Sequence, residues 1–170
     1  MTSSSPAARQ AGEVHPAQLR QALGKFASGV TVVTTSGGLG GHEVHGMTAN
    51  AFSSVSLRPP LVLVSVSNSA HLHPRIAETG RYGISILGRR QESLAQHFAG
   101  RESHPELVRF VWRDGLPLID AALVHLTCSV VNSHLAGDHT IYVAHVDTVA
   151  QLDGPPLVFH DGLLRGVDAG

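Results

Sequence analysis

Residues 45–69, HGMTANAFSSVSLRPPLVLVSVSNS, narrow the folds open to this chain more than any other stretch. Thr48, Asn50, Ser53, Ser54 and Ser56 crowd a segment that otherwise reads as strand, the chain turns at Pro59-Pro60, and Leu61 to Val64 begin a fully apolar strand. A Thr/Ser-studded strand running into an apolar one points to a β-rich domain. The small residues Ala49 and Ala51 let a flat group approach the backbone, and the hydroxyls and amide beside them supply neutral donors. The same pattern also reads as the polar edge of an ordinary β-hairpin.

The rest of the chain extends the β reading. Pro16 stands at a helix start, with Leu19, Ala22, Leu23 and Phe26 at helical spacing and Gly29 as the stop. Residues 30–36 are β-branched and strand-like, GGLGG (37–41) is a hairpin tip, and the strand returns through 43–49 and runs on past it. After a second apolar strand at 61–67, PRIAETG (74–80) reads as a short helix, YGISIL (82–87) as a strand and RQESLAQHFAG (90–100) as an amphipathic helix. Residues 101–117 read as irregular. Residues 123–131 alternate, with Val124, Leu126, Cys128 and Val130 on one face and His125, Thr127 and Ser129 on the other, which predicts a half-buried antiparallel strand. A long strand follows over 138–151, and PPLVFHDGLLRGV closes the chain with a short strand, a turn and a last short segment. Strands dominate and no βαβ rhythm appears, so the expected architecture is mainly β, a closed antiparallel barrel with a few peripheral helices.

Size and charge exclude several function classes. At 170 residues the chain is read as one domain over 15–170, preceded by a small, polar, disordered tail over 1–14. Net charge is −1 and no basic stripe occurs, which argues against nucleic acid. No apolar run is long enough for a membrane helix, the N-terminus lacks a signal-peptide core, and the single cysteine, Cys128, forbids an internal disulfide; a cytoplasmic location is expected.

Motifs that carry familiar chemistry fail on spacing. In SGGLGGHEVHG, Gly38-x-Gly40 is followed by Glu43 where a dinucleotide fingerprint needs glycine, and a strand-like segment stands where a helix should begin. Twelve histidines suggest metal, yet His42-x-x-His45 and His71-x-His73 lack the i, i+4 helical spacing of a zinc site, so no metal is expected.

Three segments in order, GKFASGVTVVTT (24–35), HGMTANAFSSVSLRPPLVLVSV (45–66) and AGDHTIYVAHV (136–146), resemble the short flavin reductases that serve two-component flavin monooxygenases, most closely the reductase components of phenol and 4-hydroxyphenylacetate hydroxylases. The resemblance spans residues 16 to about 167. It implies an FMN-binding split β-barrel of closed antiparallel Greek-key type, NADH or NADPH as co-substrate, FMN or FAD as the flavin, a homodimer with flavin near the subunit interface, and a separate oxygenase fed by diffusion. Hydride transfer between two stacked rings needs no strong acid or base, only placement at about 3–3.5 Å and donors for the charge that grows on the flavin.

By that resemblance, Thr48, Ala49, Asn50, Ala51, Phe52, Ser54 and Val55 line the flavin ring and ribityl chain, and Ser69 to Arg75 lie near its phosphate, with Ser69, His71 and Arg75 as the polar contacts. Ala70 and Leu72 stand where many relatives carry Ser and Thr, which leaves His71, His73 or Arg75 to replace two lost donors. His139, after Gly137-Asp138, is the expected catalytic-site histidine beside flavin and nicotinamide; it also reads as a turn histidine held by Asp138. The His160-Asp161-Gly162-Leu163 turn is placed near the nicotinamide, with His45 and Gly46 as further nicotinamide-side candidates. Should a 2′-phosphate be bound, Arg81, Arg89, Arg90 and Arg101 are the available cations. A flavin-binding electron carrier and an oxidase on the same barrel are the rival readings.

Overall fold

Runs of Val, Ile and Thr bounded by Gly, Pro and Asp become strands here because branched side chains pack well on a pleated surface. The computed structural model describes residues 14–37 and 43–167. In chain order the elements are α1 (Pro16–Leu23), β1 (Ser28–Gly29), β2 (Thr31–Gly37), β3 (Glu43–Ala49), β4 (Phe52–Leu57), β5 (Pro60–Ser67), α2 (Leu72–Thr79), β6 (Arg81–Ile86), α3 (Glu92–Phe98), β7 (Phe110–Arg113), β8 (Leu116–Ile119), β9 (Val124–Ala136), β10 (His139–Gln151), β11 (Leu157–His160) and β12 (Leu163–Gly166). The chain is mainly β with few helices, as its sequence implies. Most of the proposed hairpin tip, residues 38–41, and most of the N-terminal tail, residues 1–13, lie outside the described residues.

Seven strands form one antiparallel sheet in the order β3-β2-β6-β9-β10-β5-β4. Its two edge strands, β3 and β4, are consecutive in the chain and joined only by Asn50 and Ala51. Two linking residues reach at most about 11 Å between flanking Cα atoms, so the sheet curls enough to bring the end of β3 and the start of β4 within that reach. The Ser65 N–H donates to the Ala51 carbonyl at 3.0 Å and holds the link over β5.

The alternation of β2 explains the two cores. Val33 packs with Val64, Val66, Ile76, Tyr82, Ile84, Cys128 and Tyr142 inside the curl, capped by α2. Its neighbours Val30 and Val32 face the other way, onto Leu87, Leu94, Ala95, Ile119 and Leu157 beneath α3, β8 and β11.

Several expectations change. Residues 101–117 are not wholly irregular, because β7 and β8 pair as a hairpin around Asp114-Gly115, both at positive φ (50° and 77°), as a tight two-residue turn requires. That hairpin covers the outer face of β9, so His125 and Thr127 are buried rather than solvent-facing. His125 bonds to the Ile119 carbonyl through Nε2 at 2.7 Å, and the Thr127 hydroxyl donates to Asp114 at 2.9 Å. The first helix stops at Gly24, and Gly29 sits in a strand. The strand through 43–49 does not run on; it breaks at Asn50-Ala51 and resumes in β4. Among the described residues no helix is long and apolar enough to cross a membrane.

Candidate active site

Thr48, near the end of β3, donates its hydroxyl to the Ala95 carbonyl of α3 at 2.8 Å. It was expected as a donor to a bound ring; its proton is instead used to dock a helix, and only lone pairs remain for a ligand. Two residues earlier, Gly46 lies under Phe98. A Cβ there would stand 2.7 and 2.8 Å from two ring carbons, so the ring seats on β3 only because position 46 has no side chain.

The helix then ends in a Schellman motif. Gly100 takes φ 68°, its N–H donates to the His97 carbonyl at 3.0 Å, and the Arg101 N–H reaches back to the Gln96 carbonyl at 3.1 Å. The backbone of Arg101 is thus fixed beside the strand break at Asn50. Two abutting cavities of about 650 and 170 Å³ share Asn50, Arg101 and Phe159 in their walls. Thr48 and Gln96 line the smaller; Asp161 and Gly162 line the larger, across from α1. The Asn50 amide has no hydrogen-bond partner among the described residues and is exposed, and Ala51 is exposed beside it. A small-residue break carrying one free neutral amide, opening on such a cavity, fits the edge of a planar heterocycle.

The β11–β12 turn is held in place by α1. Asp161 and Gly162 both have positive φ (53° and 81°), His160 and Leu163 pair across the turn, and the Asp161 N–H donates to the Gly24 carbonyl at 2.7 Å. The Lys25 ammonium stands 2.8 Å from the Asp161 carboxylate and holds that carboxyl below its usual range.

A second cavity, about 890 Å³, collects His45, Gly46, His71 and Arg75 with His97 and Phe98. His45 Nε2 is sealed from solvent without a hydrogen-bond partner and lies 3.6 Å from Glu43. His71 caps α2 in sequence position but makes no side-chain cap bond. Arg75 is partly engaged, donating to Glu78 at 3.2 Å.

His139 lines none of these cavities. It pairs with Ser67 at the mouth of β5, where the Ser67 and Ser69 hydroxyls lie 2.9 Å apart. Its Nδ1 is 2.7 Å from the Asp138 carboxylate. A carboxylate can only accept, so Nδ1 carries the proton. The His139 imidazole in turn holds the Asp138 carboxyl below its usual range. Asn68 clamps the turn: its N–H donates to the Asp138 carbonyl at 2.9 Å, and its side-chain oxygen accepts from Thr140 at 2.7 Å. That leaves the Thr140 hydroxyl oxygen as an acceptor, so His73, 3.1 Å away, donates to it through Nε2.

The remaining candidates lie along the edge. Ala49 is buried, Phe52 packs half-buried against the inner core, and Ser54 and Val55 are exposed on β4, where the ladder with β5 shifts register between Ser54 and Ser56. One chain therefore gathers the candidates in three places: Thr48, Asn50, Asp161 and Gly162; His45, Gly46, His71 and Arg75; and Ser69 with His139. No group of three His, Cys, Asp or Glu among the described residues is arranged to hold a metal ion.

Sequence reasoning passed over Phe159, Gln96 and the Lys25–Asp161 pair, and Arg101 entered it only as one of four cations. The F-A-G-R ending of α3 was the usable signal for Arg101, since glycine one residue past a helix end announces a left-handed cap.

Comparison with known proteins fits this geometry. Residues 23–168 match the family described as flavin reductase like domain. A Rhodococcus protein named NADH-dependent flavin reductase is 58% identical, over 92% of this chain and 89% of that one. The 4-hydroxyphenylacetate 3-monooxygenase reductase component of Thermus thermophilus is 40% identical, over 82% of this chain and 89% of its own. The solved structure of the flavin reductase PheA2 superimposes with a TM-score of 0.86 at 42% identity, covering 92% of this chain and 100% of that one. Matched over residues 23–168 and alike in sequence and backbone fold, this chain belongs to the flavin reductase like domain family.

Proposed function

We propose that this chain is an NADH:flavin oxidoreductase that reduces free FMN or FAD and releases the reduced flavin to a separate monooxygenase component. The observation that carries the reading is the 58% identity, along nearly the whole of both chains, to a protein named NADH-dependent flavin reductase. The Thermus relative, named as the reductase component of a monooxygenase, supports the separate oxygenase, and the naming of the Rhodococcus relative favours NADH over NADPH.

When bound, the nicotinamide supplies a hydride and the flavin accepts it, which leaves the protein with binding and orientation. Asn50 and the backbone of the 50–51 break would hold the polar edge of the ring. Ala49 and Ala51 permit close approach, Phe52, Ser54 and Val55 extend the wall, and Ser69, His71 and Arg75 would take the phosphate end. The Asp161-Gly162 turn, flanked by His160 and Leu163, would meet the nicotinamide; His45 and Gly46, the other candidates for that ring, line a separate cavity. His139 would offer Nε2, its ring orientation held by Asp138.

A split β-barrel is part of the proposal, and the short link that joins edge strands β3 and β4 through two residues supports it. A homodimer is part of the proposal: Phe26 and Leu135 are each 78% exposed, and Leu19, Leu23 and Val149 are exposed with them, apolar surface of the kind a subunit interface covers. A cytoplasmic location suits a consumer of NADH.

Anaerobic mixing of the protein with FMN or FAD and NADH tests the reading. Bleaching of the oxidised flavin spectrum in proportion to NADH is the expected result; an unchanged spectrum with both NADH and NADPH would contradict it.

A further inference from the structure

Arg101 is the feature of the cavity wall that the reading above leaves without a task. Among the described residues its guanidinium has no carboxylate or carbonyl partner, although it lines both abutting cavities together with Asn50. Most of the other arginines considered for a phosphate are occupied or distant. Arg81 donates to the Asp114 carbonyl at 2.9 Å and faces Asp147, and Arg89 and Arg90 line a different cavity with Asp153. Arg75, in the second cavity, is engaged by Glu78.

The charge balance of the larger cavity is positive. Its one acidic wall residue, Asp161, is neutralised by Lys25 at 2.8 Å, while Arg20 of α1 and Arg101 have no counter-charge among the described residues. Position is fixed as well as charge. The Thr48–Ala95 bond and the Phe98–Gly46 contact dock α3, and the Schellman closure sets the Arg101 backbone, so backbone ordering is in place before binding and only the side chain remains to be ordered. An exposed guanidinium that lines the same cavities as a neutral amide suits a phosphate ester, whose oxygens accept its forked donors.

We propose that Arg101, assisted by Arg20 across the cavity, binds the phosphate of a nucleotide whose ring reaches Asn50. This rests on the flavin reductase reading for its choice of nucleotides, and the phosphate belongs either to the nicotinamide dinucleotide or to the flavin.

The test is equilibrium binding of NAD⁺, FMN and riboflavin, by calorimetry, to the full-length protein and to Arg101→Gln and Arg101→Lys. Arg101 is exposed and its side chain makes no contact that folding needs, so Arg101→Gln should keep the unfolding midpoint. Loss of a charge-assisted bond should weaken the phosphate-bearing ligand about tenfold, with riboflavin changed by less than about twofold and Arg101→Lys intermediate. Weakening of NAD⁺ assigns the phosphate to the nicotinamide dinucleotide, and weakening of FMN but not riboflavin assigns it to the flavin. Affinities unchanged for all three, or riboflavin weakened as much as FMN, would overturn the proposal, as would a wild-type protein that binds none of them. A wild type that binds these ligands but reduces no flavin would sink the reductase reading while leaving the role of Arg101 intact.

Discussion

The Thr48 hydroxyl and the Ala95 carbonyl lie 2.8 Å apart, and this bond decides where the end of α3 stands. Ala95 also accepts the Ala99 N–H at 3.0 Å, so one carbonyl both closes the last turn and anchors it to β3. Asn50 and Arg101 face common cavities because of that anchor. Replacing Thr48 with Val keeps the shape and removes the donor, leaving the carbonyl one partner short. Stability should fall by about 1 kcal/mol, and Thr48→Ser should recover most of it. Urea denaturation of the three proteins reads the difference.

Gly46 tests the same docking from below. The methyl of Gly46→Ala would meet the Phe98 ring at 2.7 Å and force the ring or the helix to move. A loss of about 1–3 kcal/mol is expected for such overpacking. In a double-mutant cycle, Phe98→Leu should make the added methyl cheaper to accommodate, giving a non-additive pair. Strict additivity would show that the contact does not govern the site.

The Lys25–Asp161 pair carries a pH signature. Lys25 depresses the Asp161 carboxyl in the folded protein. A depressed folded value means that the contribution is fully present above the unfolded value of about 3.9 and fades as the pH falls through the folded one. Lys25→Met should move the Asp161 titration upward toward that ordinary value, as followed by NMR of its side-chain carbon. Because both partners are largely exposed, the shift should shrink in high salt.

Cys128 offers a probe of global opening. It is fully buried, and burial first, then the Asp147 charge, push its thiol up to about 12. A thiol reagent at mildly alkaline pH should therefore label it slowly in the native protein and rapidly through the denaturation transition. Fast labelling under native conditions would show that the inner core opens locally.

The sequence made the strands and their order along the chain legible where periodicity was strong, as in β2, β5, β9 and β10. It was less informative where one element owes its environment to another. His125 and Thr127 alternate like solvent-facing residues, yet both are buried because the β7–β8 hairpin folds across them. The Asp114-Gly115 pair was a usable hairpin signal, but with four-residue strands on each side it was too short to register as periodicity. The break at Asn50 was equally hidden, since Thr48 to Ser56 is strand-like throughout and only the curl of the sheet forces a turn there. For Arg101 the F-A-G-R ending announced a helix cap, but its place beside Asn50 depends on how α3 docks on β3.

The most direct measurement of the central claim is aerobic loss of NADH absorbance by the purified protein with FMN, FAD and riboflavin added in turn. The account predicts flavin-dependent NADH consumption by the wild type, with NADH preferred over NADPH. Flavin binding without consumption of either nicotinamide would contradict it and leave a flavin-binding protein that does not turn over.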